Sequence, residues 1–430
     1  MLLQQSEEIR MKKWVMGAVA AITLTAIATP AMAKDRWEKI FDGKTLTGWT
    51  LIGKGGRGYV VENGELVCPA DGGGNLYTEK EYSDFKFRFE FKLTSGANNG
   101  IGLRAPLSGD AAYVGMESQV LDDTADIYKN LLPGQYHGSI YKVFAAKRGF
   151  LKPLGEWNKE TIEVIGRKVK ITLNGTVIVD GDINNVTDPA ILAEHPGLLR
   201  TSGHIGFLGH GTLVRFRNLE AVDLAKAPVD NKAPEGFSAL FNGKDLNGWK
   251  GLVKDPIARA KMSPAELKAA EDKATIEALK HWSVVEGVIT YDGKNDSLAT
   301  ARDYKDFELH VDWKIGDNGD SGIYLRGSPQ IQIWDPKYWK IGSGGLYNNQ
   351  KNPSKPTTIA DNPIGEWNRF IILMQGEKVT IYLNGVLVVQ NVTLENYWDR
   401  TQPIFPTGQI ELQHHGNPIF FKNVYLRELK

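Results

Sequence analysis

Phe85-Lys86-Phe87-Arg88-Phe89-Glu90-Phe91-Lys92 sets an aromatic ring at every other position with a charge after each. Successive side chains of a strand point to opposite faces, so the octet predicts a strand with one buried and one wet face. A later stretch repeats the device: Phe307, Leu309, Val311, Trp313 and Ile315 alternate with Glu308, His310, Asp312 and Lys314. Asn174-Gly175 and Asn384-Gly385, each between apolar strand residues, predict type I′ hairpin turns, whose central positions both need positive φ. Many short strands at regular turn spacing, with almost no helix, predict an all-β chain of two-sheet antiparallel sandwiches.

The chain is one design written twice. Phe41-Asp42-Gly43-Lys44-Thr45-Leu46-Thr47-Gly48-Trp49 recurs 200 residues later as Phe241-Asn242-Gly243-Lys244-Asp245-Leu246-Asn247-Gly248-Trp249. Asn99-Gly100-Ile101-Gly102-Leu103-Arg104 recurs as Ser321-Gly322-Ile323-Tyr324-Leu325-Arg326, and Gly155-Glu156-Trp157-Asn158 as Gly365-Glu366-Trp367-Asn368. Leu173-Asn174-Gly175 matches Leu383-Asn384-Gly385, and His210-Gly211 before Phe216-Arg217-Asn218 matches His415-Gly416 before Phe421-Lys422-Asn423. Five landmarks in one order predict homologous domains over residues 34–224 and 235–430, joined by a Pro- and Ala-bearing linker at 225–234. At roughly 190 residues each, a jelly roll fits better than an immunoglobulin-like sandwich. The offset grows to 222 at Asp84/Asp306, so domain 2 carries an insertion. Ser263, Pro264 and Glu266 open it as a capping box, predicting a helix over about 263–281. The offset then falls to 210, leaving about twelve extra residues in domain 1 between Arg104 and Gly155.

Composition narrows the function. The 430 residues hold 51 basic and 51 acidic side chains, with 42% hydrophobic and 24% charged. That balance gives no electrostatic footprint for nucleic acid or for acidic membranes. A single cysteine, Cys68, excludes a disulfide framework and a thiolate metal cluster. The 46 glycines, 11 tryptophans and 15 tyrosines suit a sugar-handling β-protein, with tight turns and aromatic platforms. At the start, Lys12-Lys13, an apolar run from Trp14 to Ile27 and Pro30-Ala31-Met32-Ala33 predict a secretory signal peptide at 1–33, cut after Ala33. Met11 is a more natural start than Met1, and no cysteine follows the cut to take a lipid. The expected destination is a periplasm or beyond, with membrane contact only during export.

Alternation also sorts the second sheet. Ile323 and Leu325 should point inward, leaving Tyr324 and Arg326 on the open face. Gln330, Gln332 and Trp334 share a face, as do Gln409, Glu411 and Gln413, while Asp335 ends its strand. Together they offer bidentate groups for vicinal hydroxyls and an aromatic plane for the apolar side of a sugar ring. In domain 1 the corresponding residues are Arg104, then Glu117, Gln119 and Asp122, while Gly206 and Leu208 replace the third strand's polar pair. Tyr136-His137-Gly138-Ser139-Ile140-Tyr141 and Lys147-Arg148 fill the longer stretch there. His137 is the best single candidate for a general acid or base, having an ordinary pKa near neutrality. His210, His414 and His415 follow strands and can anchor loops or meet ligand. No nucleophile elbow, zinc-protease motif, Walker loop or dinucleotide fingerprint is present. Asp122-Asp123-Thr124-Ala125-Asp126 carries the oxygen ligands calcium takes, but reads better as a solvated turn. No cofactor or metal is expected.

With these motifs assembled, both halves resemble the 3-keto-disaccharide hydrolase family. The F-[DN]-G-K-x-L-x-G-W opening, G-I-x-L-R, the glutamine strand ending in Asp122 or Asp335, G-E-W-N, the L-N-G hairpin and the closing H-G-x₄-F-[RK]-N carry the resemblance over nearly the whole chain after the leader. It implies a concanavalin-like jelly roll, export from a bacterium, and action on glycosides oxidised to a ketone at C3. Such a ketone acidifies the C2 proton, and the glycosidic oxygen at C1 lies β to the resulting carbanion. A base can therefore expel the aglycone by elimination, and water adds back or the unsaturated sugar leaves. In domain 1 this chemistry would assign Arg104 and Lys147 to the carbonyl or hydroxyls, and Glu117 with His137 to proton transfer. In domain 2, Arg326 and Gln332 would hold substrate while Glu411, helped by His414, moves the proton. Gln119, Asp122, Tyr141, His210, Tyr324, Gln330, Trp334, Asp335, Tyr347 and Gln413 complete the expected substrate contacts. The rival is a non-catalytic tandem glycan-binding module, since the fold does not fix activity. A conventional glycanase of this kind would show two carboxylates in an E-x-D-x-x-E pattern on one strand, and that pattern does not occur.

Overall fold

The computed structural model describes residues 36–227, 229–294 and 296–429, so the leader reading of 1–33 lies outside the described residues. The aromatic octet forms the strand Phe85–Leu93, whose burial alternates residue by residue. Its four phenylalanines are almost wholly buried, and Phe87 stacks on Phe89 at 5.0 Å between ring centroids. Each half is an eight-stranded sheet packed on a five-stranded one. In the five-stranded sheets the strands, numbered along the chain, lie in the order 1-2-5-3-4 in both halves. In domain 1 these are Trp49–Gly56, Gly72–Tyr82, Asn98–Ala105, Met116–Leu121 and Gly203–Gly209. In domain 2 they are Trp249–Gly251, Leu298–Thr300, Asp320–Leu325, Ser328–Trp334 and Glu411–Leu412. Both halves are therefore jelly-roll sandwiches with one topology.

The repeated motifs are framework. Trp49 Nε1 donates to the Ile40 carbonyl at 2.8 Å and Trp249 Nε1 to that of Leu240 at 2.7 Å, closing the opening loop of each half. Asn174 and Gly175 have φ of 49° and 88°, and Asn384 and Gly385 have 50° and 79°, as type I′ hairpins require. The asparagine of G-E-W-N accepts from that hairpin: Asn174 Nδ2 donates to Asn158 Oδ1 at 2.9 Å, and Asn384 Nδ2 to Asn368 Oδ1 at 2.8 Å.

The insertion helix spans Pro264–Ala278, with Ser263 Oγ accepting from the Glu266 N–H and Glu266 returning to Ser263. It is the only helix longer than six residues among the described residues. It lies against the edge strand Trp249–Gly251 so closely that a Cβ on Gly251 would stand 2.2 Å from the Ala274 carbonyl oxygen.

One strand departs from its pattern. Phe307–Ile315 was expected to wet its charged face, yet Glu308, His310 and Asp312 are buried. Domain 1 reaches Glu308 alone, while Phe237 lies on the His310 ring at 4.6 Å and Arg369 and Asn423 bond Asp312. Arg167 meets the Glu308 carboxylate through two bonds of 3.1 Å, Arg427 joins at 2.8 Å and His310 at 2.8 Å. Burial alone would raise the Glu308 pKa, but Arg167, His310 and Arg427 hold it well below the ordinary glutamate range. Ile371, Leu373 and Tyr382 of domain 2 also pack into the domain 1 core, and Arg200 Nη1 donates to the Gly385 carbonyl at 2.6 Å.

Candidate functional site

In domain 2 the alternation of three neighbouring strands sends Ile323, Ile331, Ile333, Ile410 and Leu412 into the core. Tyr324, Gln330, Gln332, Trp334, Glu411 and Gln413 fall on the opposite face. Tyr324 pairs with Glu411 across the sheet, and Gly322 pairs with Gln332. A Cβ on Gly322 would approach Gln413 Oε1 to 2.9 Å and Gln330 Cγ to 3.1 Å, so this glycine is the floor over which the two glutamines lie. Gln330 donates to Gln332, which donates in turn to Asp320 Oδ1 at 2.8 Å, with His415 Nδ1 3.5 Å from the other Asp320 oxygen. Burial raises the Asp320 pKa against the opposing pull of His415, Trp334 and Gln332. At one end Trp334 stacks on Trp339 at 5.4 Å and meets Tyr347 edge-on at 4.9 Å. Tyr347 is exposed there.

Glu411 carries the raised carboxyl of this face. Only 2% exposed, its carboxyl is pushed up to about 7 by burial, against the partial relief of Arg259, whose Nη2 stands 3.5 Å from Oε1. Burial beside the Glu411 charge also pushes the Tyr324 phenol well above its ordinary range, so it stays a donor at neutral pH. A raised carboxyl, a protonated phenol and several amides on one face can move a proton and hold a hydroxylated ligand. Arg259 belongs to the short helix Pro256–Arg259 of the insertion, beyond the reach of strand alternation. Asp320 and His415 were likewise not assigned to the site, although period two already placed Asp320 on the face of Gly322 and Tyr324.

Both G-I-x-L-R arginines depart from expectation. Arg104 and Arg326 take φ of 49° and 52°, and in domain 2 a bulge between Ile323 and Leu325 turns the chain just before. Their guanidinia leave the sheet face and clamp the ends of each sandwich. Arg104 donates to the Ser83 and Gly166 carbonyls and to Asp84; Arg326 donates to the Lys305 and Gly376 carbonyls and to Asp306. Asp122 and Asp335 are also framework: Asp122 accepts from the Gly96 and Thr124 N–H groups, Asp335 from those of Asn318 and Lys337.

His137 is not placed for proton transfer with Glu117. Its ring turns inward onto Phe91, with Nε2 3.2 Å from the wholly buried Glu160, while Nδ1 accepts from the Leu121 N–H at 3.3 Å. Ser343 performs the same strand-end service in domain 2, accepting from the Trp334 N–H at 2.9 Å. Lys147 is exposed beyond the site, where its N–H donates to Ile178 on the eight-stranded sheet. His414 is tied to Ser297, whose Oγ lies 3.0 Å from both its Nδ1 and its backbone N–H.

What remains on the domain 1 face is Glu117, Gln119, His210 and Tyr141. Glu117 lies across Gly100, where a Cβ would stand 1.9 Å from Oε1, and His210 Nε2 is 3.9 Å from that oxygen. This neighbour raises the His210 pKa, against burial. Gln119 Oε1 accepts from the Val120 N–H, and the Tyr141 hydroxyl accepts from Gln135. Where domain 2 pairs Glu411 with Ala299, domain 1 pairs Gly206 with Tyr77. The Tyr77 ring lies over Gly206, within 2.3 Å of where a Cβ would be, and clusters with Ala105, Ala111 and Leu208. That side of the domain 1 face is plugged. Among the described residues no group of three or more His, Cys, Asp or Glu side chains is arranged to hold a metal.

The 3-keto-alpha-glucoside-1,2-lyase-like domain model matches residues 36–221 and again 236–427. A 3-keto-disaccharide hydrolase of Bacteroides thetaiotaomicron is 23% identical over 263 aligned residues, spanning 48% of this chain and 82% of the relative. A provisionally assigned glycosyl hydrolase from Parabacteroides distasonis is similar at 26% identity, covering 44% of this chain and all of its own, with a TM-score of 0.39. The carbohydrate-binding module CBM66 from Bacillus subtilis is similar at 13% identity, covering 41% of this chain and 96% of its own, with a TM-score of 0.26.

Proposed function

Because this chain belongs, in both halves, to the 3-keto-alpha-glucoside-1,2-lyase-like domain family, we propose that it cleaves the glycosidic bond of 3-keto-glycosides at the open face of domain 2. Glu411, as carboxylate, takes the proton from C2. The C2–H electron pair becomes the C1=C2 bond as the C1–O bond breaks, and the proton passes to the departing oxygen. Water then adds across C1=C2, returning a hydrogen to C2, or the unsaturated sugar leaves. The Tyr324 hydroxyl donates to the C3 oxygen where enolate charge gathers, and Gln330, Gln332 and Gln413 hold ring hydroxyls. One well-placed donor to such an oxyanion contributes about 2.7–4 kcal/mol.

The observation that carries the reading is the buried Glu411 carboxyl, raised to about 7 beside a protonated phenol on a glutamine-lined face. Domain 1, with Tyr77 and Gly206 in that register and its Arg104 and His137 committed elsewhere, is assigned a supporting role. The signal peptide expected at 1–33 would carry this action outside the cytoplasm. Incubation with a 3-keto-disaccharide, and in parallel with the unoxidised disaccharide, tests the reading. Sugar release from the first alone supports it; binding without release would favour a glycan-binding module.

A further inference from the structure

A cavity of about 760 Å³ lies between the insertion and the end of the domain 2 sheet. Ile257, Arg259 and Leu267 of the insertion form one side, Lys250, Phe405 and Gln409 the other. Arg259 belongs both to this wall and to the Glu411 contact, so the cavity stands one guanidinium away from the reactive carboxyl. Gln409 is 6% exposed, and its Oε1 has no hydrogen-bond partner among the described residues. An unmet buried amide oxygen is destabilising, and native proteins rarely keep one without a purpose. The matching register position in domain 1 is His204, whose Nδ1 lies 2.6 Å from the Thr78 carbonyl oxygen. Domain 1, which lacks the insertion, ties the side chain at this position to its own backbone.

The walls suit a neutral polyhydroxylated ring. Gln409 Oε1 can accept one hydroxyl, the paired Lys250 and Glu271 offer a donor and an acceptor, and Ile257, Leu267 and Phe405 supply apolar surface. We propose that this cavity is the leaving-group subsite, receiving the sugar ring released from C1, with Gln409 Oε1 accepting one of its hydroxyls. This rests on the reading of Glu411 as the proton-transfer group. It makes the insertion a selector of the aglycone, while the glutamine face selects the oxidised sugar.

The test uses the full chain and two variants: Gln409→Leu, which removes the acceptor, and Leu267→Trp, which fills the cavity. D-glucose binding is titrated by calorimetry, and kcat/KM is compared between a 3-keto-disaccharide and methyl 3-keto-glucoside. The expected result is glucose binding to the unmodified chain, weakened about five- to tenfold by Gln409→Leu and lost in Leu267→Trp. The preference for disaccharide over methyl glycoside should fall in parallel. Absence of glucose binding to the unmodified chain, or an unchanged preference in both variants, would overturn the proposal. Failure of the underlying reading looks different: Glu411→Gln would keep its turnover while glucose binding stayed intact.

Discussion

Domain 1 and domain 2 lay the same strands in the same order, yet at one register of the five-stranded sheet they exchange large for small. Domain 2 sets Ala299 opposite Glu411; domain 1 sets Tyr77 opposite Gly206. In one half the small residue leaves room for a buried carboxyl, and in the other a ring fills the same space. The motifs that the halves share (the opening tryptophan, the asparagine pair of the hairpin, the arginine clamp) all hold the sandwich together. Repetition thus marks the framework, and the proposed chemistry falls where the copies diverge.

Glu411→Gln gives the largest expected contrast between the halves. Turnover of a 3-keto-disaccharide should fall about 10²–10⁴-fold, whereas Glu117→Gln in domain 1 should change it only a few-fold, both by initial-rate assay. Equal losses would restore domain 1 as a second catalytic site. Next in size is the seam. Arg167→Ala leaves Glu308 buried with one cation fewer, and denaturant unfolding should show a loss of about 3–5 kcal/mol. An unchanged midpoint would mean that Arg427 and His310 suffice.

A smaller effect tests the reading of His137 as framework. His137→Ser alone leaves Glu160 buried without its partner and should destabilise by about 3 kcal/mol. Phe370, two residues after the matching Asn368, is the core residue that domain 2 carries where domain 1 has Glu160; adding Glu160→Phe to His137→Ser therefore installs the Ser343 and Phe370 pair and should recover most of that loss. No recovery would show that the two cores cannot exchange parts.

The smallest effect is in the pH profile. A Glu411 carboxyl at about 7 that must be ionised to act predicts a kcat/KM that rises with pH through about 7. Arg259 lowers that value, so Arg259→Ala should move the rise to higher pH. A profile flat across neutrality, or a shift downward, contradicts the assignment.

Much of this was legible in the sequence, for local reasons. Phe85–Leu93, the two Asn-Gly turns and the Ser263–Glu266 capping box depend on neighbours in the chain, and each formed as read. The grouping of Tyr324, Gln332, Glu411 and Gln413 followed from period two, because the strands that carry them are adjacent. The failures share a different cause. Phe307–Ile315 lost its wet face to groups distant in the chain, Arg167 against Glu308 141 residues away and Asn423 against Asp312 111 residues away. Arg104 sits near the end of its strand and Arg326 just after its own, and positive φ re-aims both, which alternation cannot foresee. His137 found Glu160 across the core, and Arg259 reached Glu411 from an inserted segment with no counterpart in the other half.

The account stands on Glu411 removing the C2 hydrogen. Turnover of a 3-keto-disaccharide in deuterated water, followed by NMR of the released sugar, tests this directly. The predicted product has deuterium at C2, or no hydrogen there if it leaves unsaturated, formed faster than in an enzyme-free control and lost with Glu411→Gln. A product that keeps its original C2 hydrogen would contradict the account.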